Sequence, residues 1–258
     1  MKIDSSTISQ LLSSLDEYNP VANQFVEKVS SAIVPVAMMI LGTLMYLELA
    51  DTKRRTQVEQ GRLNSDIFIS VAWSYLVGFV LIVYSDEILD SFIWVINATG
   101  HLINKVSTNN SDLEFVVPEI KGKVNMAQKL ILNGMSALAM FFAWAAELVV
   151  KVLVFLRAFD LFIFKAAAPV LVAGYASEEW RPVSMNFLKR FLGAGIQGFL
   201  LIIILKLYPA LITNDMFDLV ADGSWQENLS AMFLSIAKSV VFLIVLVGSQ
   251  RKAKEWMG

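Results

Sequence analysis

The sequence predicts an all-α, polytopic membrane protein with about five transmembrane helices and additional amphipathic surface helices. Three observations predict it. Of 258 residues, 56% are hydrophobic and only 17% are charged, a balance outside that of ordinary soluble domains. The apolar residues gather into runs long enough to cross a hydrocarbon core of about 30 Å at about 1.5 Å per residue. The basic residues cluster at the ends of those runs, as the positive-inside bias requires. There is no cysteine, so thiolate metal sites, cysteine nucleophiles and disulfides are excluded. The net charge of -2 gives no sign of a nucleic-acid partner, and only the placement of the basic residues is informative.

Residues 1–31 carry Ile8, Leu11, Leu12, Leu15, Val21, Phe25 and Val29 in two short helical patterns divided by the breaker Asn19-Pro20. They read as an external amphipathic segment, lying on the membrane surface, on a neighbouring subunit or on the protein's own bundle. The acidic, serine-rich beginning lacks the basic-then-apolar order of a cleavable signal, so insertion is expected to rely on the first span.

The membrane domain, 32–258, opens with a span from Ala32 to Leu49. Lys53, Arg54, Arg55 and Arg62 crowd the connection to the second span, Ile67 to Tyr84, which puts that connection in the cytoplasm and the N-terminus outside. Residues 85–129 read as an external loop with a surface-lying helix around Phe92 to Ile96. A third span begins near Leu130, and its helical pattern outlasts one crossing. The segment 157–190 is too apolar for a plain loop and too broken, at Pro169, Gly174 and Pro182, for a plain span, so it reads as cytoplasmic or re-entrant. Pro169 disfavours helix at Ala168, so the chain is expected to turn back there. Phe191 to Ile212 is the fourth span, with Lys189 and Arg190 before it. An acidic connection from Asn214 to Asn228 belongs outside. The fifth span, Leu229 to Val247, is followed by Arg251, Lys252 and Lys254, which fix the C-terminus in the cytoplasm.

Polar residues within or beside the spans are the candidate pathway positions: Glu147, Lys151, Lys206 and Lys238. An ionised group at the centre of a span costs about 2.5–3.5 kcal/mol on the insertion scale, so such groups face a bundle interior, water or a partner. Glu147 and Lys151 stand four apart with the acid first, the favourable order for a helical pair. Arg157 and Asp160 share a face in the same way, in what is expected to be cytoplasmic water. Lys238 is too deep for easy snorkelling, and Glu147 is one candidate counter-ion for it. Lys206 lies within reach of the outer interface. Gly193, Ala194, Gly195 and Gly198 give the fourth span a small-residue surface for close helix packing, with Gln197 placed for an interhelical hydrogen bond. No P-loop, HExxH or GxSxG motif is present, and His101 is the single histidine. No catalytic residue, cofactor site or metal site is therefore expected, and the protein is not expected to be an enzyme.

One stretch has a recognisable order: a long helix with Arg157 and Asp160, then AAAPVLVAGYASEE around Pro169, then NFLKRFLGAGIQG with Lys189-Arg190 and Gln197-Gly198. With the N-out layout and the basic exit of the first span, it resembles the TrbL and VirB-six-like polytopic subunits of conjugative type IV secretion systems, particularly those of Gram-positive elements. The resemblance implies a non-enzymatic channel component in a bacterial cytoplasmic membrane. Such a component helps single-stranded DNA and its attached protein cross. The implied partners are membrane lipids, further copies in a homo-oligomer, conjugation ATPases, other secretion-system membrane subunits and single-stranded DNA in transit. Arg157, Asp160, Pro169, Arg181, Lys189 and Arg190 would form its cytoplasmic mouth. The residues themselves leave two other readings open: a small-substrate secondary transporter or permease subunit, and a non-conducting membrane scaffold.

Overall fold

A single helix of 48 residues, Met126–Ala173, forms the spine against which the other elements pack. The structure is a computed structural model that describes residues 5–58, 65–106, 120, 125–212 and 224–255. Among these residues the regular elements are all helical: α1 (Ser5–Leu12), α2 (Leu15–Tyr18), α3 (Pro20–Val58), α4 (Ser65–Val83), α5 (Ser85–Val106), the spine α6, α7 (Arg181–Ile212) and α8 (Trp225–Glu255). Four stretches are long and apolar enough to cross a membrane, namely Pro20–Arg54, Met126–Ala176, Arg181–Ile212 and Trp225–Lys252. A shorter apolar helix, Ile69–Val83, occupies the second expected span. The chain is an all-α polytopic membrane protein. Arg62, the polar run 107–114 and the acidic residues of 213–223 lie outside the described residues.

Local chemistry fixes the helix starts. Ser14 and Glu17 form a reciprocal capping box ahead of α2, with Ser14 N–H bonded to Glu17 Oε2 at 3.0 Å and Glu17 N–H to Ser14 Oγ at 3.2 Å. Asn19 Oδ1 accepts the Ala22 N–H at 3.0 Å, and Pro20 occupies the first helical position, where its missing N–H costs nothing. Asn19-Pro20 thus starts a helix as well as dividing two. From there α3 runs without a break through Ser31 and Ala32, so the N-terminal segment and the first span are joined by one continuous helix.

The expected turn at Pro169 does not occur. Helix α6 continues through Pro169 to Ala173, and the chain turns at the single 3-10 turn Gly174–Ala176. Proline removes one ladder bond and strains the preceding turn, but Ala168 and Pro169 are buried, and packing holds the helix together there. The helix ends at Gly174, where the approach of α7 leaves little room for a side chain. A Cβ on Gly174 would come within 3.1 Å of both Ser184 Oγ and Trp180 Cβ. Ser184 Oγ then donates to the Leu171 carbonyl at 2.6 Å, satisfying one of the last acceptors of α6 from the first turn of α7.

Three levels of packing follow one another along the spine. Ala146, Val150, Leu153 and Val154 meet Leu201, Leu205 and Tyr208 of α7, Phe242 and Leu246 of α8, and Leu11 and Leu12 of α1. Ala158, Leu161, Phe162 and Ala168 meet Phe187 and Phe191 of α7, Leu89 and Ile93 of α5, and Val26 of α3. Ala173 and Ala176 meet Ala37, Leu41 and Leu44 of α3 and Tyr75 and Ile82 of α4. The outer two levels, centred near Val150 and Ala173, are about 35 Å apart along α6 at about 1.5 Å per residue, and α7 and α3 both also pack on the stretch between them. The turn at Gly174–Ala176, expected as a cytoplasmic or re-entrant loop, packs among the apolar residues of the first two expected spans.

Helix α5 follows α4 with only Tyr84 between them and presents Leu89 and Ile93 to the bundle. Phe92, Trp94, Val95 and Leu102 face outward, so the expected surface-lying helix is present and lies on the protein's own core.

Candidate functional site

The second half of α6 carries two basic side chains, Arg157 and Lys165, roughly two turns apart and both buried, at 6% and 1% exposure. They are placed there because α1, α2, the start of α3, and α5 wrap this part of the spine.

Lys165 Nζ sits 2.8 Å from Asp90 Oδ2 and 3.6 Å from Glu27 Oε1, and donates to Asn23 Oδ1 at 3.2 Å. Asn23 Nδ2 donates in turn to Glu27 Oε1 at 2.8 Å, and Ser30 Oγ donates to Asp86 Oδ1 at 2.8 Å. One ammonium therefore ties α6 to α3 and α5. The carboxylates of Glu27 and Asp90 are about half exposed, at 48% and 49%, so the cluster opens to the surface on its acidic side. Burial holds the Asp86 carboxyl above the usual carboxylate range, with Asp90 and Glu87 adding to the rise, while the Ser30 hydrogen bond and the Lys165 charge oppose it. Lys165 is not among the positions the sequence singles out. The available signal is its spacing with Leu161, Ala168 and Val172, all of which fall on the buried face of one helix.

Arg157, expected in water beside Asp160, is instead buried, and its Nη1 donates to the Leu11 carbonyl of α1 at 2.8 Å. Asp160 is exposed, and no ion pair joins the two among the described residues. The guanidinium lies directly over Gly198 of α7, where a Cβ would overlap Cζ and Nε. Arg157 Nε is buried without a hydrogen-bond partner, as is Asn97 Oδ1, whose amide group donates to the Ser13 carbonyl at 2.9 Å. Beside Arg157 is a cavity of about 20 Å³ lined by Gln10, Ser13, Tyr18, Ile93 and Leu161 among others.

The remaining expected positions divide. Glu147 and Lys151 form the expected pair at 2.7 Å, with the lysine side chain 58% exposed, which suits a snorkelling cation on the outer face of α6. Lys238 and Lys206 are half-buried and make no ion pair among the described residues, so Glu147 serves Lys151 and not Lys238. Tyr208 packs against Phe242 and donates its hydroxyl to the backbone carbonyl of Lys238, joining α7 to α8. Of the small residues on α7, Gly195 receives Ile96 of α5 and Gly198 receives Arg157, while Ala194 is buried and Gly193 and Gln197 are half-buried. Pro169 is buried. Lys189 and Arg190 are exposed on α7. Arg181 is exposed too, with its Nε donating to the Tyr175 carbonyl at 3.2 Å and its guanidinium 5.8 Å from the Tyr175 ring centre. The expected cytoplasmic mouth is thus two kinds of residue: Arg157 and Pro169 inside the bundle, and Asp160, Arg181, Lys189 and Arg190 on its surface. Among the described residues no group of His, Cys, Asp and Glu is arranged to hold a metal ion. Compared with protein-family models, with curated proteins and with solved structures, the chain matches none.

Proposed function

We propose that this multi-pass membrane protein is a non-enzymatic channel component of a conjugative type IV secretion system in a bacterial cytoplasmic membrane. In this reading it works as an oligomer with conjugation ATPases and other membrane subunits, and helps single-stranded DNA and attached protein across. The observation that supports the reading is the seating of Arg157 over Gly198. These residues stand at the two ends of the stretch that resembles the TrbL and VirB-six-like subunits, and the contact makes that stretch one helical hairpin. The exposed Lys189 and Arg190 on the same hairpin offer phosphate contacts to a strand in transit. Changing both to Glu is expected to lower DNA transfer while the protein accumulates normally in the membrane. Wild-type transfer at wild-type protein level would remove the case for a basic mouth.

A second reading, an ion-coupled transporter or permease subunit, is favoured by the cluster of Lys165 with Asp90, Glu27 and Asp86, since titratable groups beside membrane spans mark ion and proton pathways. Substrate uptake by the purified protein alone in liposomes would support it; co-purification with ATPases and inactivity alone would support the first.

A further inference from the structure

Helix α6 carries one line of apolar side chains that the other described helices leave uncovered. It begins at Leu130 and passes through Leu138, Phe141, Leu148 and Val152, the last of these the least exposed at 44%. Exposed Gly134 and half-buried Ala145 fill the longer steps, so the line advances by three or four residues throughout. It continues through Phe155 and Phe159, whose rings stack with centroids 6.1 Å apart, and ends at Ile163. The charged residues of α6 are Lys129, Glu147, Lys151, Arg157, Asp160 and Lys165. At about 100° per residue, all of them lie about 80° or more around the helix from the centre of the line.

Lipid alone cannot cover a line of this length. From Leu130 to Ile163 it is roughly 50 Å long. At a tilt of about 20° it spans roughly 47 Å of depth, and at about 40° roughly 38 Å, against a hydrocarbon core of about 30 Å. Roughly 8–17 Å of it therefore stands beyond the hydrocarbon, whichever level of the spine the bilayer takes. An apolar strip in that position marks a protein contact. The chain's own described helices do not supply it, because they pack on the other faces of α6.

The line is suited to meeting itself. Copies of one membrane protein share one orientation, so the α6 helices of two copies meet in parallel. About a symmetry axis along the bilayer normal, each residue on the line then comes opposite its own equivalent. A charge on the line would face its like, and over its whole length there is none. We propose that the Leu130–Ile163 face of α6 is the contact between copies of this chain, with the spines of two copies packed in parallel along it. The stacked Phe155 and Phe159 extend the contact past the level of Arg157, where the opposite face of the spine turns polar. The proposal rests on the oligomer in the secretion reading and names the surface that forms it.

The chain has no cysteine, so single cysteines report the contact directly. Leu148→Cys, Phe155→Cys and Phe159→Cys, oxidised mildly in intact membranes, are expected to give a disulfide-linked dimer on a non-reducing gel. The yield is expected to be several times that of Met140→Cys and Asp160→Cys, which are exposed on the same helix about 100° to either side. Light scattering of the unaltered protein in detergent measures the oligomer independently. Equal yields at all these positions, or a dimer at Leu148→Cys alone, would overturn the proposal. If the protein were still oligomeric by light scattering, that result would move the contact to another face and leave the secretion reading intact. If it were monomeric, the line would fall to lipid or to a different protein, and the oligomer would be lost from that reading as well.

Discussion

At the scale of single residues, glycine positions with different surroundings make opposite predictions. Gly198→Ala forces a methyl into the space of the Arg157 guanidinium and is expected to destabilise by about 1–3 kcal/mol, the usual cost of overpacking. A methyl added at Gly134 in α6 would meet nothing within 4 Å, so Gly134→Ala is expected to gain up to about 1 kcal/mol of helix propensity. Urea unfolding of both variants in one detergent checks the sign, and a neutral Gly198→Ala would mean that the guanidinium gives up its seat at little cost. Asp86 makes a pH prediction. Its carboxyl is raised in the folded state, so folded protein binds the proton more tightly than unfolded protein. Stability from this group is therefore greatest below the unfolded carboxylate pKa and falls as pH rises through the interval up to the folded value. Asp86→Asn keeps an acceptor for Ser30 and should flatten that decline between acidic and neutral pH; an unchanged slope would assign the decline to other groups. Both Arg157 and Lys165 are visible in the sequence as cations on a helix. Their burial is not, because the wrapping helices come from residues far away in the chain, as the Leu11 and Asp90 contacts show.

At the scale of elements, the helices are legible in the sequence and their ends less so. The spans expected from hydropathy fall within α3, α6, α7 and α8 and, but for Tyr84, within α4, because runs of apolar residues are a local property. Pro169 misleads because proline is a weak terminator where both faces of the turn are packed, and Gly174 marks the end because two side chains from α7 and its approach press on it. The docking of α4 on the α6–α7 turn is not legible at all, since it joins Gly78 to Ala176 across a gap that no sequence periodicity encodes. A Cβ at Gly78 would stand 3.0 Å from Ala176 Cβ, about 0.5 Å inside the shortest Cβ separations of disulfides, so a small parting of the two elements brings the pair into range. In this cysteine-free chain, Gly78→Cys with Ala176→Cys is expected to cross-link under mild oxidation and shift in mobility on a non-reducing gel. The neighbouring Tyr75 hydroxyl, bonded to Glu48 Oε2 at 2.6 Å, holds the same hairpin together. An absent cross-link in a folded double variant would show that α4 docks elsewhere.

For the whole molecule, the central fact is the offset of its two apolar hairpins along one spine. The α7–α8 hairpin meets α6 near Ala146, and the α3–α4 hairpin meets it near Ala173. Centre to centre the two levels are about 35 Å apart, more than a hydrocarbon core of about 30 Å, and even a tilt of about 40° leaves about 26 Å between them in depth. The two hairpins therefore cannot both be centred in one flat bilayer while docked as they are. Between the levels lies the polar belt of Arg157 and Lys165 with Glu27, Asp86 and Asp90, a composition that favours an interface over hydrocarbon. Two exposed tryptophans report the two levels: Trp144, two residues before Ala146 on α6, and Trp73, two residues before Tyr75 on α4. In single-tryptophan variants reconstituted into bilayers, lipids brominated at different acyl positions are expected to quench Trp144 and Trp73 at different depths. Equal depth for both would mean that the α3–α4 hairpin slides along α6 on insertion, and the Gly78–Ala176 cross-link, tried before and after reconstitution, would then be lost in the bilayer.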